Sequence, residues 1–128
     1  MTLGDMTARL GLEILTPELS INERKSVEYV DGGVIVTRGH ASDLLSDVLA
    51  NAPSGGVLVT IQVHMNVIAV ALHAGLAAVI FAQGMRPEED VRQKAVQEGL
   101  PLLASVDSTF TLAGKLYALG LRGGGVEA

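Results

Sequence analysis

Polar residues suited to ligand binding are concentrated in four short segments, each of which follows an apolar run or precedes a helix-like run. These segments are 39–42, 62–66, 83–86 and 107–109. In open parallel sheets, ligands bind beyond the carboxyl ends of the strands, where the first amides of the following helices attract anions. The pattern therefore predicts a site for a small anion such as a nucleotide phosphate. Its candidate residues are Gln62, His64, Asn66, Gln83, Gly84, Arg86 and Ser108.

Several of these residues also have a purely structural interpretation. Ser108 is a favourable helix N-cap, and Gln62 and Asn66 can satisfy backbone groups after a strand. His64 is the most suggestive residue, because a histidine at a strand end can bind a ligand or exchange a proton. It can equally be a hydrogen-bonded structural residue. The sequence leaves both interpretations open.

A metal site is not predicted. His40, Asp43 and Asp47 have the spacing of ligands on successive turns of one helix face, but three ligands from one helix end do not close a coordination sphere without partners. The chain has no cysteine, which excludes disulfides, thiol catalysis and Cys-type zinc sites. Asp107 beside Ser108 lacks a base, and no glycine-rich segment has phosphate-loop spacing. We therefore predict no cofactor and no catalytic residues.

Composition indicates one soluble domain. The 128 residues are 48% hydrophobic and carry a formal net charge of -5. The nine Lys and Arg residues are scattered, which argues against nucleic-acid binding. The longest apolar run, 67–82, contains His73 and Gly75 and is too short to span a membrane. The N-terminus lacks the basic start of a signal peptide, so we expect a cytoplasmic protein.

Apolar runs alternate with helix-like segments along the chain. Strands are predicted at 12–15, 26–38, 57–61, 77–82 and 101–104. Strands that alternate with helices of about ten residues are typical of an α/β fold. We predict a mainly parallel or mixed sheet with helices packed on both faces. A single domain is expected over 1–121, followed by a flexible glycine-rich tail at 122–128.

Capping signals predict where the helices begin. Thr2 or Asp5 is expected to cap the first helix, and Ser42 a second one. Pro87 is the predicted first residue of a later helix. The helix over 66–74 is apolar almost all round, which predicts coverage on both sides and suggests a dimer face. The core face of the second helix is predicted to be Leu44, Leu45, Val48 and Leu49.

Several segments, mostly in the second half of the chain, resemble a known family. They are 42–51, 60–66 (Thr-Ile-Gln-Val-His-Met-Asn), 84–87 (Gly-Met-Arg-Pro), 98–103 and 108–117. In this order and spacing they resemble the DRTGG domain, in particular its small stand-alone members, over residues 32–121. Related domains precede the catalytic region of phosphotransacetylases, lie between CBS domains in some pyrophosphatases, and are similar to the N-terminal domain of HPr kinase/phosphorylase.

The resemblance implies an α/β fold like that N-terminal domain and a regulatory or assembly module rather than a catalytic unit. The phosphate-binding motif of the kinase, G-x-x-x-x-G-K-[ST], is absent from the sequence. The chain also departs from the residues that name the family. Where many members carry Asp-Arg it has Val63-His64, and where they carry Thr-Gly-Gly it has Ala82-Gln83-Gly84. A ligand role of those family residues is therefore not carried over unchanged.

The sequence thus predicts a non-catalytic module that forms a homodimer. It either senses a small anionic ligand, a nucleotide or phosphometabolite, or docks onto a larger metabolic enzyme. One alternative is a small enzyme that acts on a phosphorylated or nucleotide substrate with His64 as acid/base. The other is a structural adaptor with no small ligand.

Overall fold

Five helices and seven short strands form in the computed structural model, which describes residues 1–19, 29–30 and 33–124. The helices are α1 (Leu3–Leu10), α2 (Leu45–Asn51), α3 (Asn66–His73), α4 (Glu89–Glu98) and α5 (Thr109–Ala118). The strands are β1 (Glu13–Ile14), β2 (Tyr29–Val30), β3 (Gly33–Val34), β4 (Gly39–Ala41), β5 (Val57–Thr60), β6 (Ala78–Phe81) and β7 (Leu102–Ala104).

The central sheet has five strands in the order β1-β7-β6-β5-β4. Strands β4, β5, β6 and β7 are parallel, and β1 joins β7 antiparallel, with Glu13 opposite Ala104. Strands β2 and β3 form a separate antiparallel pair. The sequence Asp31-Gly32-Gly33 between them is typical of a hairpin turn, and its first two residues lie outside the described residues. The predicted α/β class with a mainly parallel, mixed sheet is confirmed.

Helices cover both faces of the sheet. Successive residues of a strand point to opposite faces, and in β5 Leu58 packs with α2, α3 and α4 while Val57 and Val59 pack with α1 and α5. Strands β5, β6 and β7 are buried along their whole length, which explains why they read as continuous apolar runs rather than alternating ones.

The predicted N-caps Thr2 and Ser108 are confirmed, and glycines follow the ends of two helices. Thr2 caps α1 by accepting a hydrogen bond from the amide of Asp5, and Gly11 ends that helix with φ +60°. Ser108 caps α5 by accepting from the amide of Thr111. Gly75 follows α3 with φ +70°, the left-handed conformation that favours glycine at this position.

The predicted start of α2 is wrong. The helix begins at Leu45 with Leu44 as a cap that has no side-chain hydrogen bond, while Ser42 and Asp43 precede it. Asp43 lies outside the helix because its carboxylate accepts hydrogen bonds from Thr60 and Ile61 at the end of β5. The predicted core face is also too wide, since Val48 is buried but Leu44 and Leu49 are 65% and 48% exposed.

Two further helix predictions need correction. The helix after Pro87 begins at Glu89, with Glu88 as its cap, so the proline precedes the helix instead of opening it. Helix α3 packs against α2 and α4, but Ala69 and His73 are exposed, so it is not covered all round. The α3 helix lies in the outer layer, and one side of it faces solvent.

The segment predicted as a flexible tail begins with ordered contacts. The amide of Arg122 donates to the carbonyl of Thr37 (3.1 Å), and the amide of Gly39 donates to the carbonyl of Arg122 (2.9 Å). The guanidinium of Arg38 also donates to the carbonyl of Gly123 (3.0 Å). Residues 122 and 123 therefore lie beside residues 37–39, at the start of β4, and 125–128 are outside the described residues. No helix in the described part of the chain is long and apolar enough to cross a membrane.

Candidate ligand-binding edge

All four candidate segments lie at the same edge of the sheet, as predicted from parallel strands. Each follows the carboxyl end of its strand or, for 39–42, contains the strand itself, since Gly39–Ala41 is β4. The antiparallel β1 adds a residue that sequence reasoning missed, because its first residue, Glu13, pairs with the last residue of β7. The edge therefore receives side chains from five strands.

A buried threonine connects two of these segments. The Thr60 side chain is fully buried, and its hydroxyl donates to Asp43 Oδ1 at 2.9 Å. The same carboxylate oxygen accepts from the amide of Ile61 (2.9 Å), and the Thr60 hydroxyl accepts from the amide of Gln62 (3.1 Å). These three bonds hold the β5–α3 segment against the segment that follows β4. They therefore fix the position of the backbone that carries Gln62 and His64.

His64 and Gln62 line one cleft of about 470 Å³, between the β5–α3 segment and the start of α4. The amide of Asn66 donates to His64 Nδ1 at 3.1 Å. When neutral, the ring therefore carries its proton on Nε2 and can donate from that nitrogen. The other charged residues lining this cleft are Glu88 and Asp90. Because both are carboxylates, the cleft does not favour a phosphate.

Arg86 and Gly84 line a second cleft of about 380 Å³, between β1, the β6–α4 segment and α5. Arg86 forms an ion pair with Glu13. Lys115 Nζ, which sequence reasoning did not select, forms another with Asp107 Oδ2 at 2.7 Å. Within the part of the chain that the structure describes, this cleft therefore contains two cations and two carboxylates. Both cationic side chains are about half exposed.

The predicted single site is thus divided, and four of its members have structural roles among the described residues. The amides of Gln83 and Gly84 donate to the carbonyls of Asp107 (2.8 Å) and Ser105 (2.9 Å), which joins two neighbouring segments. Gln83 adopts φ +60°, an unfavourable conformation for a residue with a side chain. Ser108 caps α5, and Asn66 opens α3.

His40, Asp43 and Asp47, which have the spacing of metal ligands in the sequence, form separate side-chain contacts in the structure. His40 lies in β4 rather than on a helix, and its Nε2 is 2.8 Å from Asp47 Oδ2 on α2. Asp43 is bound to Thr60 instead. Hydrogen bonds from Asn51, then His40 and Ser42, lower the pKa of Asp47 from its usual value to about 2. Among the described residues, no group of three or more His, Cys, Asp or Glu side chains is placed to bind a metal ion.

Ion pairing with Arg92 explains the lowered pKa values of two other carboxyl groups. Arg92 on α4 donates to Glu89, to Glu18 and to the carbonyl of Leu15. Its hydrogen bonds lower the pKa of both Glu18 and Glu89, while theirs raise the pKa of Arg92. This group attaches α4 to the segment that follows β1. Its role is therefore to hold these two elements together.

These features define an open α/β domain with two clefts at the carboxyl ends of its strands. The chain belongs to the DRTGG domain family, whose family model matches residues 20–119. The resemblance seen in the sequence is therefore confirmed.

A solved structure has the same fold. It contains the CBS and DRTGG domains of the regulatory region of Clostridium perfringens pyrophosphatase, complexed with the activator diadenosine tetraphosphate. The TM-score is 0.61 at 13% sequence identity. The match covers 90% of this chain and 45% of that chain, so this chain spans less than half of its length. No curated protein matches the sequence.

Proposed function

We propose that this domain is a non-catalytic regulatory module that binds a small anionic ligand in the cleft between Arg86 and Lys115. Its membership of the DRTGG family supports a regulatory role. The pyrophosphatase region with the same fold is itself regulatory and is complexed with a nucleotide activator. A nucleotide or a phosphometabolite is therefore the class of ligand that we expect here.

The observation that carries this proposal is the pair of replaceable ion pairs in one cleft. Arg86 with Glu13, and Lys115 with Asp107, are the charged residues of its lining. Exposed ion pairs of this kind contribute only about 0–1 kcal/mol each, because water and salt screen them. A phosphate group carries up to two negative charges and accepts charge-assisted hydrogen bonds from both cations. It can therefore displace the two carboxylates at low cost.

Such an exchange would also transmit a signal. Glu13 belongs to β1, and Asp107 to the segment between β7 and α5. Release of both carboxylates would remove the ion pairs that link β1 and the start of α5 to the two cations of the cleft. A ligand that binds the released state more tightly shifts the population towards it. This gives a regulatory module a means to change a neighbouring surface without any chemical step.

The test is a thermal-shift and calorimetric panel of inorganic phosphate, AMP, ADP, ATP and diadenosine tetraphosphate. A ligand that binds only the folded state raises the melting temperature by mass action. We expect Arg86→Gln and Lys115→Gln each to weaken binding by roughly tenfold or more. Lys94→Gln is a matched control, because Lys94 is similarly exposed and forms an ion pair with Glu98 on α4. Equal loss in the control would contradict the proposed cleft.

The module is further proposed to act in an assembly, either as a homodimer or bound to a larger metabolic enzyme. The neighbour supports this by analogy, because its DRTGG domain is part of a longer regulatory region. Association without any ligand response across the panel would instead favour a structural adaptor. Sedimentation of the purified domain, alone and with the ligand that gives the largest shift, separates these cases.

The runner-up function is an enzyme that uses His64. One observation favours it, because His64 shares its cleft with the carboxylates Glu88 and Asp90. A histidine beside carboxylates can transfer protons during hydrolysis or isomerisation. The test is phosphorus NMR of phosphorylated and nucleotide substrates incubated with the wild-type protein and with His64→Ala. Turnover that the variant lacks would replace our proposal with this alternative.

A further inference from the structure

The outward face of α5 carries an aromatic side chain that does not pack into the core. Phe110 is 89% exposed, whereas the other phenylalanine of the chain, Phe81, is fully buried. Tyr117, two turns further along α5, is 54% exposed. Gly114 lies between them on the same face, and a Cβ built there meets nothing within 4 Å. An exposed aromatic surface of this kind usually marks an interaction site.

A small cavity of about 150 Å³ lies next to this face, between α5 and β4. Its lining is mostly apolar and includes Ala41, Val59, Ala113 and Leu116. Among the described residues no carboxylate lines it, and its cation, Arg122, lies over the Tyr117 ring at 3.7 Å from the centroid. An apolar cavity of about this volume is large enough for a benzene ring. Phe110 does not line the cavity, so the ring of the same chain does not fill it.

We propose that α5 binds a second copy of this chain, with Phe110 of each copy inserted into the α5–β4 cavity of the other. This rests on the self-association included in the proposed function and assigns it to one surface. The ring and the cavity lie on the same helix, since the α5 residues that line the cavity are Ala113, Leu116 and Tyr117. At 1.5 Å per residue, their centre is roughly 8 Å from Phe110 along the axis.

A two-fold axis midway between Phe110 and the cavity places each ring opposite the cavity of the partner. Such an isologous contact needs one surface to be complementary to itself, and here projection and cavity match in size, polarity and spacing. The two α5 helices run antiparallel in this arrangement. The end that carries Asp107 then approaches the partner's end, which carries Arg122, and the helix dipoles oppose each other favourably.

The area of this surface predicts a reversible dimer. The two aromatic side chains and the cavity walls provide on the order of 500 Å² per copy, compared with roughly 800 Å² per partner in a standard stable interface. The fraction of dimer should therefore rise with protein concentration. The surface also adjoins Lys115 on the same helix, so a ligand in the proposed cleft could change the dimer affinity.

The experiment is sedimentation velocity over a wide concentration series. We expect Phe110→Ala to weaken the dimer by at least about 100-fold, because the symmetric interface loses the ring twice. Leu44→Ala is the matched control, since Leu44 is 65% exposed and immediately precedes α2, which packs on the opposite face of the sheet. Phe110 is exposed, so its variant should keep the wild-type melting temperature at low concentration.

A second variant tests the pairing itself. Ala113→Leu fills the cavity but keeps the ring, so it should also be monomeric. A mixture of Ala113→Leu with Phe110→Ala should associate again, because one intact ring can then enter one intact cavity. A wild-type monomer at every concentration, a dimer that Phe110→Ala does not weaken, or no association in the mixture would overturn the proposal. Ligand binding by such a protein would leave the sensing function standing.

Discussion

The bond between Thr60 and Asp43 should make an unusually large contribution to stability for a single hydroxyl group. We expect Thr60→Val to lower the free energy of unfolding by about 2 kcal/mol. A hydrogen bond to a carboxylate contributes roughly 1.5–3 kcal/mol, and the added methyl group recovers a part of that loss. The amide of Gln62 also loses its acceptor, although water can replace it. For a chain of this length the melting temperature should fall by about 7 °C.

The control is Thr7→Val on α1. The Thr7 side chain is also buried, but its hydroxyl donates to the carbonyl of Leu3 four residues earlier in the same helix (2.8 Å). That carbonyl sits within the helical hydrogen-bond ladder, so we expect a loss under about 1 kcal/mol. Urea unfolding followed by circular dichroism measures both variants.

A double-mutant cycle isolates the bond itself. Asp43→Ala, Thr60→Val and the double variant should give a coupling free energy of about 1.5 kcal/mol. Amide hydrogen exchange at 61–66 should speed up in each variant, because that segment is held by the same carboxylate. The reasoning is refuted if Thr60→Val is no more harmful than Thr7→Val, or if the effects of the two substitutions simply add.

Three other substitutions test separate features. The Asp47 carboxyl has a folded pKa of about 2, below its unfolded value. Its contribution to stability should therefore be present above about pH 4 and lost as the pH falls towards 2. Asp47→Asn should remove this pH-dependent part when the urea midpoint is measured over a series of pH values. Gly56→Ala should destabilise by about 1–3 kcal/mol, because an added Cβ would lie 3.0 and 3.1 Å from the carbonyl oxygens of Pro53 and Arg38. Gly114→Ala should instead raise the melting temperature of the monomer, since the position is open and alanine gains up to about 1 kcal/mol of helix propensity; a fall would contradict this.

Much of the fold could be predicted because its signals are local. The buried strands β5 and β6 read as apolar runs, and Thr2 and Ser108 carry their capping bonds within three residues. Strand β4 was not predicted, because Gly39–Ala41 has little strand propensity and forms a strand only by pairing with β5. The start of α2 was misplaced for a related reason. Asp43 has a better partner 17 residues away, and no local pattern reveals it.

The candidate site was predicted at the correct edge but with the wrong grouping. Parallel strands are enough to bring the segments of Gln62 and Arg86 to one edge, and this was predictable. The division into two clefts depends on the left-handed turn at Gln83, whose amide binds the segment after β7. Glu13 and Lys115 were missed because their positions depend on the antiparallel pairing of β1 and on the direction of α5. Neither can be inferred from local spacing.

Both ends of the described chain form backbone hydrogen bonds with the short segment between β3 and β4. The amide of Val36 donates to the carbonyl of Met1 (2.9 Å), and one residue later the carbonyl of Thr37 accepts from the amide of Arg122. Entry and exit are thus side by side, at the edge opposite the two clefts. Because its two ends are adjacent, this domain could be inserted into an exposed loop of another protein without separating the residues on either side of the insertion. The same proximity makes it suited to circular permutation, with new ends opened in an exposed loop.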